Sequence, residues 1–327
     1  MPRRLTGGCN WPGFVAATPI VVISWLLVCG LLVCWLMVES AAAQTQKTAE
    51  LADCREMLAR GEFFECINAT HDAILKRRYG ESWPVLKTQA EVATGQYRAA
   101  LQTVEKGIER YSWSVRLRWL GRDAALHVGN DLLADQRLAE IVELVGKFPW
   151  RYTDAEEIVV LAEIDLLLGL DARDVLDQRL FKARDRNRRS REPWLAIAEM
   201  ALEKNDLAFA AEVLTQALTE FPEDPDVHFG LARALSSSDS KNASLHLEAA
   251  LKANPKHIPS LLFQADRLID AEQYATAEEL LATVLTVHPD QSDAYAYRAV
   301  IAHLTNDPRG EVAFHDKALA GWSRNPR

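Results

Sequence analysis

Side chains able to do chemistry are plentiful in this sequence, but their spacing assembles no reaction centre. The eight histidines (His71, His127, His228, His246, His257, His288, His303 and His315) fall singly along the chain. A metalloprotease would pair two imidazoles on one helical face as His-Glu-x-x-His. A serine hydrolase would show Gly-x-Ser-x-Gly, and a nucleotide enzyme a glycine-rich phosphate loop. None of these occurs. Cys54 and Cys66 lack the second Cys or His pair that zinc would require. We therefore expect no catalysis, no metal and no cofactor. The densest charge cluster is the run from Arg179 to Arg191, with Arg179, Lys182, Arg184, Arg186, Arg188, Arg189 and Arg191 against a single acid, Asp185. It reads either as a patch for an anionic partner or as a solvated helix end, where cations complement the backbone carbonyls. The glycosylation triplets Asn68-Ala-Thr70 and Asn242-Ala-Ser244 sit at helical positions and carry no argument.

The chain has 327 residues, 49% hydrophobic and 25% charged, with 15 Gly and 13 Pro. That composition excludes collagen, a disordered tail and a disulfide-dense miniprotein. A net charge of -9 and a pI near 5.5 disfavour nucleic-acid binding. Mean hydropathy of -0.12 excludes a polytopic membrane protein. One segment stands apart: residues Phe14 to Val38 carry no charge, with Arg3 and Arg4 before them and Glu39 after. Its tighter stretch, Ile20 to Val38, is about the length of a bilayer crossing. Ala41 and Ala43 then fit the small-x-small cleavage pattern. Residues 1–43 read as a cleaved signal peptide or a retained signal anchor. Positive charge stays cytoplasmic, so the rest of the chain is expected outside the cytoplasm, in the periplasm or cell envelope.

The remaining chain repeats itself. Pro222, Pro255 and Pro289 recur at 33 and 34 residues, and Gly61, Gly95 and Gly129 at 34. Ala210 and Ala217 precede Pro222; Ala243 and Ala250 precede Pro255; Ala277 and Val284 precede Pro289. From Arg191 the pattern is fullest, with Trp194, Ala198, Ala201, Leu207, Ala210, Leu214, Ala217 and Pro222 in order. This pattern resembles the tetratricopeptide repeat family, a helix-turn-helix unit of about 34 residues. The resemblance implies an all-α, right-handed superhelical solenoid of about eight units over residues 44–327, after the N-terminal hydrophobic helix. Its best units are 191–224, 225–257 and 258–291. Residues 47–190 and 292–327 match less well, with Asp131 and Asp174 at apolar or small positions. The fourth unit, around Gly169, is expected to carry an insertion.

The same register implies a binding face. Position 5 of each first helix reads Leu51, Val85, Trp119, Val159, Leu195, Phe229, Leu262 and Ala296, all apolar. Position 9 reads Arg55, Gln89, Asp123, Glu163, Glu199, Arg233, Asp266 and Val300. A groove built on Trp119, Val159, Glu163, Leu195, Glu199, Phe229, Arg233, Leu262 and Asp266 would take a peptide with apolar anchors and basic neighbours. The alternative is that tight winding buries position 5 between units. Lys at position 5 and Asn at position 9, by which relatives grip acidic chaperone tails, are absent. Cys54 and Cys66 fall at positions 8 and 20, which face each other across the first hairpin. They read as a disulfide in an oxidising compartment or as two buried thiols. Val312, Leu319 and Trp322 are left on an open end. That end is an imperfect cap, an end-on contact between copies, or the front of a longer envelope enzyme such as a peptidase fusion. The expected function is a non-catalytic scaffold for a protein or peptide partner. The membrane enters only through the N-terminal segment.

Overall fold

A computed structural model describes residues 50–321. Its helices pair in chain order into eight hairpins. The first three hairpins are α1 (Leu51–Ala59) with α2 (Phe63–Leu75), α3 (Ser82–Ala93) with α4 (Tyr97–Arg110), and α5 (Val115–His127) with α6 (Asp131–Lys147). The fourth pairs α7 (Ala155–Leu167) with α8, which runs Ala172–Val175, then a π turn Leu176–Leu180, then Phe181–Arg186. The last four are α9 (Glu192–Glu203) with α10 (Leu207–Glu220), α11 (Pro225–Leu235) with α12 (Ser240–Ala253), α13 (Ile258–Asp270) with α14 (Tyr274–Val287), and α15 (Ser292–Leu304) with α16 (Pro308–Gly321). The described residues form an all-α solenoid in which each hairpin buries its apolar face on the next.

Local sequence sets each boundary. Asp206, Asp224 and Asp239 cap α10, α11 and α12 by accepting backbone N–H groups, and Asp154 forms a capping box with Glu157 on α7. Pro222, Pro255 and Pro289 follow the ends of α10, α12 and α14, where no further helical donor is needed. Small side chains let the two helices of a hairpin approach. Cys54 and Cys66, Ala198 and Ala210, and Ala265 and Ala277 are all buried at the crossings.

Seven of the eight hairpin turns carry one left-handed residue; the turn between α11 and α12 does without one. Gly61, Gly95, Gly129 and Gly169 take it in the first four, with φ of 76, 73, 73 and 87°. Asn205, Glu272 and Asn306 take it later. A non-glycine L-residue there is strained by about 1–2 kcal/mol. Glu272→Gly is therefore expected to raise stability by about 0.5–1 kcal/mol after the entropy of glycine is charged against it. A urea midpoint that stays put or falls would contradict this.

The extra residues lie elsewhere than expected. They are not concentrated around Gly169. α6 is 17 residues long, and a loop of residues 148–154 follows it before α7, so most of the insertion belongs to the third unit. In the fourth, Asp174 is exposed and Val175 takes the buried place. Val175 and Leu180, five apart, then both reach the core because a π turn accommodates the added residue.

Cys54 and Cys66 are both buried and meet across the first hairpin. The Cys66 thiol lies 3.4 Å from the Cys54 carbonyl oxygen, to which it donates. Burial, reinforced by Cys54, pushes the Cys66 thiol up to about 12, so neither thiolate reactivity nor metal ligation is favoured there. At the far end, Val312 is 61% and Leu319 42% exposed. No helix among the described residues is long and apolar enough to cross a membrane. The apolar run Phe14 to Val38, the Ala41 to Ala43 site and Trp322 lie outside the described residues.

Candidate binding cavity

The coil closes on itself. Gly61 and Gly95, in the turns of the first and second hairpins, abut Asn254 and His288, which begin the loops before α13 and α15. A β-carbon at Gly61 would overlap the Asn254 side chain, and one at Gly95 the His288 ring. Both partners are 34 residues apart, one repeat on each side. Tyr97 extends the contact. Its ring stacks on His127 at 4.3 Å between centroids and meets His288 edge-on at 5.6 Å. Val287 is buried in the same cluster as Cys54, Phe63 and Trp83, and Ile258 packs against it.

Inside this closure lies an open cavity of about 710 Å³. Leu58, Phe63, Trp119, Val159, Leu195 and Ile258 give it apolar walls. Two ion networks frame them. In one, Glu156 receives Arg116 and, at 3.5 Å, Arg55. In the other, Arg191 pairs with Asp224 at 3.0 Å and with Asp226. His257 joins that network through Nε2, 2.9 Å from Asp226, while its Nδ1 lies 2.7 Å from the Ser260 hydroxyl. Burial alone would raise the Asp226 carboxyl. The His257 hydrogen bond and the Arg191 charge outweigh it and hold the group well below the usual carboxylate range. Asp224, with less compensation from Arg191, is raised by burial.

Glu163 behaves differently. It is reachable by solvent from within the cavity, yet no cation lies within ion-pairing distance among the described residues. Desolvation by the cavity walls pushes its carboxyl up to about 7; a hydrogen bond from Trp119 opposes the shift, and Asp123 and Glu203 reinforce it. Asp123 is itself raised by burial, against the pull of His127 and Arg122.

Of the residues read from the repeat register, Trp119, Val159, Glu163 and Leu195 converge on this cavity. The rest do not. Glu199 is spent on Arg233 at 2.5 Å. Phe229 lies against His257 and Phe263, with centroids 5.5 and 6.0 Å away. Leu262 is buried in the core formed by α13 and α14, and Asp266 is not among the lining residues. Position 5 is buried at Val85 and Leu262 and half-buried at Trp119, Val159, Leu195 and Phe229. The basic run is also divided. Arg179 pairs with Asp165 and Arg191 with the network above. Lys182 donates to Gln178. Arg184 bonds Asp185 at 2.9 Å and lies over Phe181 and Trp194. Arg188 gives its carbonyl to the Trp194 indole. Only Arg186, Arg188 and Arg189 keep exposed side chains with no such partner.

Sequence reasoning missed Asn254, His257 and His288, because the second wall comes from the next turn of the coil. Glycine at 61 and 95 gave no signal of it, since Gly129 and Gly169 fill the same turn position with open space around them.

The tetratricopeptide repeat family profile matches residues 195–258 and 264–326. The second stretch includes the last hairpin, which the register alone matched poorly. No curated protein sequence matches significantly. Among solved structures, the chain is similar to one in the APC/C hetero-tetramer Cut9-Hcn1, with a TM-score of 0.55 and 13% identity over 88% of this chain and 55% of that one. It is also similar to human IFIT1, in a dimer with PPP-AAAA, with a TM-score of 0.52 and 16% identity over 81% of this chain and 66% of that one. The chain thus spans less than two thirds of either neighbour, and at these identities the likeness shows the fold. It carries tetratricopeptide repeats over residues 195–258 and 264–326, and from Leu51 to Gly321 it has the all-α solenoid fold of that repeat family.

Proposed function

We propose that the chain is a non-catalytic interaction scaffold whose axial cavity takes a peptide segment of a protein partner. Tetratricopeptide repeats suggest such a scaffold. The observation that carries the peptide reading is Glu163, a carboxylate without a cation, set among Trp119, Val159 and Leu195 in an open cavity of about 710 Å³. Apolar side chains of the peptide fill the walls, and one Lys or Arg side chain supplies the missing charge. Pairing of this kind contributes about 1.5–3 kcal/mol, or roughly 10- to 100-fold in affinity. A displayed random-peptide library selected on the full chain should enrich apolar sequences carrying a basic residue. Glu163→Lys should reverse that charge preference, and Leu195→Glu should abolish enrichment. Enrichment that ignores both substitutions would sink the reading.

The pH dependence follows from the same carboxyl. It is about half ionised near pH 7 in the empty cavity. Binding of a cationic peptide favours the ionised form, so affinity should rise from pH 6 to pH 8 with release of a proton. Glu163→Gln should flatten that profile, as read by titration calorimetry in buffers of different ionisation enthalpy.

The compartment belongs to the same proposal. The apolar run Phe14 to Val38, preceded by Arg3 and Arg4, supports export or anchoring with the solenoid in the envelope. A phosphatase fused after Arg327 should be active only if that is so.

A further inference from the structure

A second cavity, of about 300 Å³, opens on the outer side of the first two hairpins between α2, α3 and α4. The peptide reading does not use it. Its depth comes from small residues on α4, where Ala99, Thr103 and Gly107 recur every four positions and lie on one face. Trp83 and Pro84 of α3 give the floor an apolar surface.

At its base sits Glu91, only 2% exposed. One oxygen of Glu91 accepts from Lys87 Nζ at 2.6 Å, and the same ammonium reaches the Thr103 hydroxyl at 2.7 Å. The other oxygen, Oε2, is buried with no hydrogen-bond partner. A buried acceptor left unpaired costs on the order of 1–3 kcal/mol, so the site calls for a donor from outside. The mouth has the opposite character. Arg78, Lys106 and Arg110 border it, in a chain whose net charge is -9. Among the described acidic residues, Glu91 alone lines the cavity.

From these groups we infer that the outer cavity binds a small apolar carboxylic acid that also carries a hydrogen-bond donor, of the amino-acid or hydroxy-acid class. The apolar body lies along Ile74, Leu75 and Ala99, the carboxylate meets Lys106 and Arg110, and the ammonium or hydroxyl donates to Glu91 Oε2. The volume is at the lower end of the range for ligand sites, so the ligand is small.

Titration calorimetry on the full chain tests this with four probes of one shape. L-phenylalanine and L-phenyllactate carry both groups; 3-phenylpropionate lacks the donor; phenethylamine lacks the carboxylate. The first two should bind, and each of the others about tenfold or more weakly, the value of one charge-assisted bond. Phenylalanine binding with no phenyllactate binding identifies the donor as an ammonium; the reverse identifies a hydroxyl. Two variants guard the assignment. Lys106→Ala with Arg110→Ala removes exposed charge and should weaken both acids by a similar factor while leaving the thermal melt in place. Ala99→Trp should fill the cavity and abolish binding. Absence of heat with both acids at millimolar concentration, equal binding of 3-phenylpropionate, or binding that survives Ala99→Trp would each overturn the inference.

Discussion

Arg191→Ala should cost about 2–3 kcal/mol of folding stability. Arg191 precedes α9, and its guanidinium reaches Asp224 and Asp226 at the start of α11. His257, at the start of α13, completes the chain of contacts by binding Asp226 at 2.9 Å. The starts of three successive first helices are thus tied together. Removing the cation leaves Asp224 without its ion-pair partner and Asp226 with the His257 imidazole alone. Breaking a fully buried pair costs about 3–5 kcal/mol. The Asp226 side chain is 43% exposed, so solvent takes up part of that. Arg191→Lys should recover less than half of the loss, because an ammonium does not fork between two carboxylates. Urea unfolding of the three proteins measures this. A loss below about 0.5 kcal/mol for Arg191→Ala would mean that water already screens the network.

Protonation of His288 should by itself remove about 3 kcal/mol of folding stability between pH 6.5 and pH 4. This ring is 3% exposed. Burial lowers its pKa to about 4 from an ordinary 6.5; Asp290 opposes the shift and His127 adds to it. Because the folded value is the lower one, the unfolded chain binds the proton first. The stability is complete above pH 6.5, is lost progressively as pH falls toward 4, and changes no further below that on this account. A shift of this size corresponds to about 3 kcal/mol. His246 is lowered in the same direction, by burial and by His228, whereas Glu163, raised to about 7, gains stability as pH falls, so the slope belongs to more than one group. His288→Gln isolates the share of this ring. The variant should show a visibly flatter stability profile over that interval. An unchanged slope would remove His288 as its source.

What the sequence made legible was periodic. Helix spacing followed from Ala198, Ala210 and Ala217 and from Pro222, because small residues and a helix terminator act on their own neighbours. The middle of the groove followed too, since Trp119, Val159, Glu163 and Leu195 sit on consecutive first helices that curve around one axis. What stayed hidden was non-periodic or came from the next turn of the coil. The added residues of α6 and the π turn after Val175 shift phase without leaving a distinctive residue type. The outer wall of Asn254, His257 and His288 depends on superhelical pitch, which many small packing angles set together. Leu262 and Phe229 share the repeat position of Leu195, yet the winding of the later units turns them into packing residues.

The clasp of Gly61 on Asn254 and Gly95 on His288 bears on how such a chain comes apart. An open repeat array behaves like a one-dimensional lattice, in which each unit feels only its neighbours and fraying begins at either end. Here the first two hairpins are anchored to loops that lie almost two hundred residues later. Losing the first hairpin therefore withdraws support from the seventh, and the ends of the lattice are no longer independent. The expected unfolding is more cooperative than the repeat architecture alone would give, with one transition spanning units that share no direct connection in sequence.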